Sequence, residues 1–242
     1  MDGTMHALEA AIRGLTRPVN GQFPRPWMTT MARPEDARIF VVGYNQATRF
    51  SAASVESHDA YIDALFNRNG RSCGDLYAQA RGPRGPSPTR RNLDALHEML
   101  TSEGLANVLE TNVICYSTPM SSDVASVEHH GGKAAGRAIF ETVLTLIRPP
   151  ILIVHGVRAS RELGHVLGQT LPAPAADQRA DVSSICARAR WPSDPYAPKV
   201  FVIPSLAPPA WNGWSGWAPS HLATLCAHVS DALNRRQADQ VP

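Results

Sequence analysis

"RIFVVGYNQATRF", residues 38–50, begins as a buried strand and stops in a polar turn. Ile39, Phe40, Val41 and Val42 form a continuous apolar run, short and without alternation, as suits a strand covered on both faces. Gly43, Tyr44 and Asn45 break it. Three further runs of this kind, "NVLETNVICY", "PPILIVHG" and "KVFVIPS", also end in a turn residue or polar cluster. Helical stripes separate them: Val55, Ile62, Leu65 and Phe66; Leu93, Leu96 and Leu100; Ile139, Val143 and Ile147; Leu163 and Leu167; Leu222, Leu225, Val229 and Leu233. Alternating strand and helix predicts a three-layer α/β/α fold around a central, mostly parallel, four-stranded sheet joined by right-handed crossovers.

The 242 residues, 43% of them hydrophobic, suffice for one large core, so a single domain over 1–242 is expected. The start, "MDGTMHALEAAIRG", carries Asp2 and Glu9 and does not read as a signal peptide, and no run of about 18 apolar residues occurs. The expectation is a soluble, cytoplasmic protein with no membrane partner. Cys73, Cys115, Cys186 and Cys226 lie far apart without a C-x-x-C pair, which favours reduced, mostly buried thiols over a zinc or iron–sulfur site.

The net charge of +2 is small but uneven, because Arg68, Arg71, Arg81, Arg84, Arg90 and Arg91 fall in one loop-rich stretch. Only two lysines, Lys133 and Lys199, accompany them, so arginine usage also fits a GC-rich genome and charge alone does not decide for nucleic acid.

Ligands of open parallel sheets bind beyond the carboxyl ends of the strands. Gly43-Tyr44-Asn45, Thr111, Asn112, Tyr116 and Ser117, His155-Gly156, and Pro204-Ser205 are expected there. No dinucleotide fingerprint follows Gly43, no phosphate loop is present, and "WNGWSGW" does not supply a nucleophile elbow. "EHHGG" offers adjacent histidines that point apart, with no third ligand at matching spacing, so no metal is expected. His155 is the better chemical candidate, although a histidine satisfied by a backbone carbonyl is the plainer reading.

In this order the motifs resemble the uracil-DNA glycosylase superfamily. "GYNQ" after the first strand is similar to that family's first active-site motif, "ETNVICYSTP" supplies an Asn on the next core strand, and "VIPSLAPPAWNGWSGW" is similar to its last. "NGQFPRPWMT" and "SPTRRN" also look like segments of glycosylase-like proteins, so the resemblance covers roughly residues 18–235. It implies a uracil-DNA glycosylase-like fold and a monofunctional DNA glycosylase, needing neither metal nor organic cofactor, that hydrolyses the bond between sugar and a flipped-out base. By that resemblance Asn45 positions the hydrolytic water, the backbone of Gly43, Tyr44 and Gln46 contacts the base, Asn112 pairs with its edge, and Phe50 or Phe66 stacks on its face. As ordinary structure, Asn45 is a turn former, Asn112 ties the strand to a loop, and the aromatics are core.

Two departures bear on chemistry. Ile203 stands where the family has the histidine before Pro-Ser, so donation to the leaving base must come from Ser205, His155 or backbone N–H groups, or activity is lost. Ala47 replaces a bulky tyrosine that shields the pyrimidine C5 position in uracil-selective members, and Gln46 replaces proline. Losing that barrier turns the expected substrate toward a C5-substituted cytosine, such as a hypermodified phage base, with uracil still accepted.

DNA, double- or single-stranded, is the expected partner of a monomeric enzyme. Ser87-Pro88 reads as an N-cap with proline at the first turn, so backbone N–H groups after Thr89, together with Arg84, Arg90 and Arg91, suit a phosphate; the plainer reading is a capped surface helix. Leu206, Trp211 and Trp214 suit a wedge filling the gap left by the extruded nucleotide, or else pack their loop onto the domain. A catalytically inactive DNA-binding module is the reading from another class.

Overall fold

The computed structural model describes residues 2–187 and 196–238. In chain order the elements are α1 (Asp2–Leu15), β1 (Gln22–Phe23), β2 (Ile39–Gln46), β3 (Phe50–Ser51), α2 (His58–Leu65), α3 (Cys73–Arg81), α4 (Pro88–Ser102), β4 (Val108–Ser117), α5 (Gly132–Ile147), β5 (Ile151–His155), α6 (Val157–Leu167), β6 (Ser183–Cys186), β7 (Lys199–Ile203) and α7 (Ala218–Ala238). The protein is α/β with a mixed, mostly parallel sheet in the order β4-β2-β5-β7-β6. That is five strands where the sequence predicts four. The addition, β6, runs antiparallel to β7 with Ser183 opposite Val202 and Cys186 opposite Lys199. Its four residues alternate half-buried and exposed, so it lacks the apolar run that marks the other four. No helix among the described residues is long and apolar enough to cross a membrane.

The backbone groups into two compact units, residues 1–37, 41–85 and 109–148, and residues 38–40, 86–108 and 149–242. In the first, α1 packs on α5, with Leu8 and Ile12 buried in α1 and Ile139, Phe140 and Val143 buried in α5. Each such side chain stabilises the fold by about 1.5–3 kcal/mol through removal from water. Helix α5 lies very close to β4: a Cβ on Gly136 would stand 2.8 Å from the Cys115 nitrogen, and one on Gly132 would stand 2.5 Å from the Tyr116 ring. Ser57 caps α2 and Ser72 caps α3, each side chain accepting from the backbone N–H three residues on.

Strand β4 ends the sheet order, and an unpaired edge of this kind invites pairing with other chains. Residues 22–28 cover it. Met28 exchanges backbone hydrogen bonds with Glu110 (2.8 and 3.0 Å), Arg25 N–H donates to the Cys115 carbonyl (3.1 Å), and Gln22 Nε2 donates to the Ser117 carbonyl (3.0 Å). Pro24 and Pro26 lack an N–H and prevent a continuous ladder. Their carbonyls are used instead, Pro24 accepting from the Tyr61 hydroxyl and Pro26 from Thr111 Oγ1, both at 2.7 Å.

In the second unit β5 and β7 pair in parallel, Ile151 beside Lys199 through His155 beside Ile203. Ile151–His155 and Val200–Ile203 are buried, as are Leu163 of α6, Leu96 and Leu100 of α4, and Leu225 and Val229 of α7. Helix α4 begins as its sequence predicts: Ser87 accepts from Arg90 N–H at 3.1 Å and Pro88 occupies the first turn. Gly156 joins β5 to α6 at φ +89°, and a Cβ there would lie 3.1 Å from that of Ser205. Only glycine combines that backbone with that approach.

Candidate functional site

In the first unit the carboxyl end of β2 is held against the residue that follows β4. Thr118 N–H donates to the Gln46 carbonyl at 2.9 Å, and the Asn45 amide nitrogen donates to Thr118 Oγ1 at 2.7 Å. The Thr118 hydroxyl spends its own proton on the Met120 carbonyl at 2.6 Å, so toward Asn45 it can only accept. This fixes the amide: Nδ2 faces Thr118, and Oδ1 has no partner among the described residues. Asn45 is half-buried, so an oriented carbonyl oxygen is offered from the end of β2. Such a group accepts a hydrogen bond from water and holds it in place. It does not take the proton, because an amide is not a base at neutral pH.

Other residues expected beside Asn45 are placed differently. Gln46 is buried, and its side chain is turned to protein: Nε2 donates to the Arg25 carbonyl at 2.6 Å, and Oε1 lies 3.4 Å from Ser117 Oγ, whose proton goes to the Thr48 carbonyl at 3.0 Å. It ties the covering segment and β4 to the site and is not offered to a substrate. Gly43 is buried, and Tyr44 packs on the cluster of Ile114, Tyr116 and Val124. Ala47 is exposed.

Asn112 is the main correction. It sits mid-strand in β4, six residues before Thr118, roughly 20 Å along an extended chain, so it is not at the end where Asn45 lies. Thr118, which the sequence reading passed over, holds that position.

Phe66 is core, its ring edge-on to Trp27 at 5.4 Å. Phe50 is 3% exposed, with the Arg25 guanidinium over its ring at 4.9 Å and Tyr61 edge-on at 6.3 Å, so no open ring face awaits a base.

In the second unit His155 stands beside Ile203 in register, at the end of β5. Leu206 N–H points at its Nδ1 (3.4 Å), which therefore accepts and leaves the proton on Nε2. Burial pushes the imidazole down to about 4, so it is neutral at physiological pH, and Nε2–H has no partner among the described residues. A neutral imidazole with a free N–H is a fixed donor for developing negative charge. The loop after β7 is clamped around it: Trp214 Nε1 donates to the Ser205 carbonyl at 2.8 Å, Asn92 Nδ2 to the Leu206 carbonyl at 2.8 Å, and Ala207 N–H to Ser205 Oγ at 3.2 Å. Ser205 thus shapes its own turn.

The depressed imidazole has a consequence for stability. An unfolded histidine titrates near about 6.5, so between about pH 6.5 and pH 4 the unfolded chain binds a proton that the folded chain does not. The contribution is fully present above that window and is lost as pH falls through it, by up to about 3 kcal/mol. Thermal melts from pH 7 to pH 4 should show the wild type losing more stability than His155→Gln. Parallel curves would mean that His155 meets water in the folded protein.

The basic stretch is mostly spoken for. In the first unit Arg68 bridges Glu9 through two bonds of 3.0 Å, Arg71 bridges Glu56 at 2.5 Å, and Arg84 donates to the Arg81 and Ala80 carbonyls at the end of α3. In the second, Arg90 is buried and its Nε holds Asp94 at 2.8 Å, which removes it as a free phosphate ligand. Arg91 is exposed and donates to the Pro86 carbonyl at 2.9 Å, and Thr89 is half-buried. Arg84 and Arg91 keep charge that no carboxylate among the described residues offsets. Leu206 is fully buried and Trp214 is 3% exposed, so neither can act as a wedge without unpacking. Trp211 and Trp217, half-buried around Trp214 at ring separations of 4.9 and 5.3 Å, are the aromatics this loop can present.

Cys73, Cys115 and Cys226 are buried thiols and Cys186 is an exposed one, none of them in a disulfide. Among the described residues no three His, Cys, Asp or Glu side chains gather as a metal site would require. Compared with protein-family models and with curated proteins, the chain matches none of either.

Proposed function

We propose that the protein is a monofunctional DNA glycosylase of the uracil-DNA glycosylase type, hydrolysing the N-glycosidic bond of a flipped-out pyrimidine and leaving an abasic site. The observation that carries this reading is the Asn45 amide, turned by Thr118 so that its oxygen is free to hold a water. As the C1′–N bond breaks, positive charge develops on the sugar and negative charge on the base. Water then forms the new C1′–O bond, and its proton goes to the departing base. No strong base is needed for attack on so electrophilic a carbon, and an amide suffices to place the nucleophile. The other requirement is a fixed donor for the base anion. Within the second unit His155, neutral and bearing its proton on Nε2, has the chemistry of such a donor, which Ile203 beside it lacks.

Incubation with DNA panels carrying uracil, hydroxymethylcytosine or glucosylated cytosine should yield abasic sites with at least one of them. Release of uracil would assign the enzyme to repair, and release of a hypermodified cytosine to defence against phage DNA. Intact DNA throughout, with DNA binding retained, would leave the inactive binding module.

The exposed Ala47 supports a C5-substituted substrate, because rejection of an oversized base depends on a clash that alanine does not provide. Ala47→Tyr should slow release of a C5-substituted base by roughly tenfold or more beyond its effect on uracil. Equal losses on both bases, measured in single turnover, would indicate general damage to the site.

A further inference from the structure

Arg25 is the least explained charge in the first unit. Its backbone is fixed on both sides, N–H donating to Cys115 and carbonyl accepting from Gln46, which itself follows Asn45 in β2. Its guanidinium lies 4.9 Å over the Phe50 ring and 5.9 Å from that of Tyr77. Unlike Arg68 and Arg71 in the same unit, it meets no carboxylate among the described residues, and Nη1 is buried without any hydrogen-bond partner. The residue as a whole is only half-buried, so the rest of the group remains reachable. A cation that has lost water at one nitrogen and gained no acceptor is unfavourable in isolation, and the aromatic faces offset only part of that. The same planar fork matches two oxygens of a phosphate or carboxylate.

We propose that Arg25 is a substrate-anion receptor, holding an anionic oxygen of the nucleotide against the platform of Phe50 and Tyr77. It rests on the reading of the Asn45 end of β2 as the nucleotide site. The oxygen comes either from the phosphate of the target nucleotide or from an acidic group on its base. Phe50 thereby serves the substrate through the guanidinium stacked on it rather than by touching the base.

The test is binding, read by calorimetry on the full-length protein, with deoxycytidine, deoxycytidine 5′-monophosphate and single-stranded oligonucleotides carrying cytosine or 5-carboxycytosine. Arg25→Met keeps an apolar stem over Phe50 and removes the charge, and Arg25→Lys keeps the charge without the fork. If phosphate is the source, the wild type should bind the monophosphate at least tenfold better than the nucleoside, and Arg25→Met should abolish that preference. If the base substituent is the source, the preference lost should be for 5-carboxycytosine over cytosine. Arg25→Lys should retain part of either preference, and Arg25→Met should melt close to the wild type.

Ligand preferences unchanged in Arg25→Met, or unfolding of that variant, would overturn the proposal, the latter by showing the charge to be structural. Anion binding by the wild type without base release from any DNA would keep the receptor and defeat the glycosylase reading. Base release combined with unchanged binding in Arg25→Met would do the reverse.

Discussion

Replacing Asn45 by alanine should lower the rate of base release by about 10²–10³-fold while DNA affinity stays nearly constant. The amide oxygen acts on a water that matters only as C1′ becomes electron-poor, so its loss falls on the transition state and not on the bound ground state. Single-turnover rates and equilibrium binding on one modified duplex separate the two quantities. Thr118→Val should reproduce part of the effect, because without the 2.7 Å contact the amide is free to turn. Unchanged turnover in Asn45→Ala would return this residue to an ordinary turn former at the end of β2.

His155→Leu should slow release by a similar factor, about 10²–10³-fold, by removing the neutral imidazole donor beside Ile203. His155→Gln, whose amide can also donate, should recover part of the loss. Because burial holds the wild-type imidazole at about 4, the rate should be flat from about pH 5.5 to pH 8 as far as this group is concerned. A rate falling steeply as pH drops through about 6.5 would mean that the imidazole is solvated and gains a proton there, contrary to its buried position.

Much of the scaffold was legible because buried strands announce themselves. The four runs around Val41, Ile114, Ile153 and Val202 are all strands, and the stripes of α4, α5, α6 and α7 are all helices. The missed pieces carry weak signals. Strand β6 has one large apolar side chain, Ile185, and α3 buries only Cys73 and Tyr77, too few to show a period. Asn45 and His155 are each legible as strand-end residues, because polar residues directly after apolar runs mark such ends. The family order of motifs puts Asn112 at a strand end, whereas "VICY" continues the apolar run for four residues beyond it and β4 runs on to Ser117. Arg25 was invisible for another reason. It meets no carboxylate among the described residues, and a sequence does not show which arginines of a chain find one.

The central claim is hydrolysis at C1′, and isotopic water tests it most directly. DNA carrying uracil, hydroxymethylcytosine or glucosylated cytosine is incubated with the protein in ¹⁸O-labelled water, and the products are weighed by mass spectrometry. The account predicts an intact free base and an abasic sugar carrying one labelled oxygen at C1′, both formed about 10²–10³-fold more slowly with Asn45→Ala. Unaltered DNA with every base, or a label appearing on the base and not on the sugar, would contradict it.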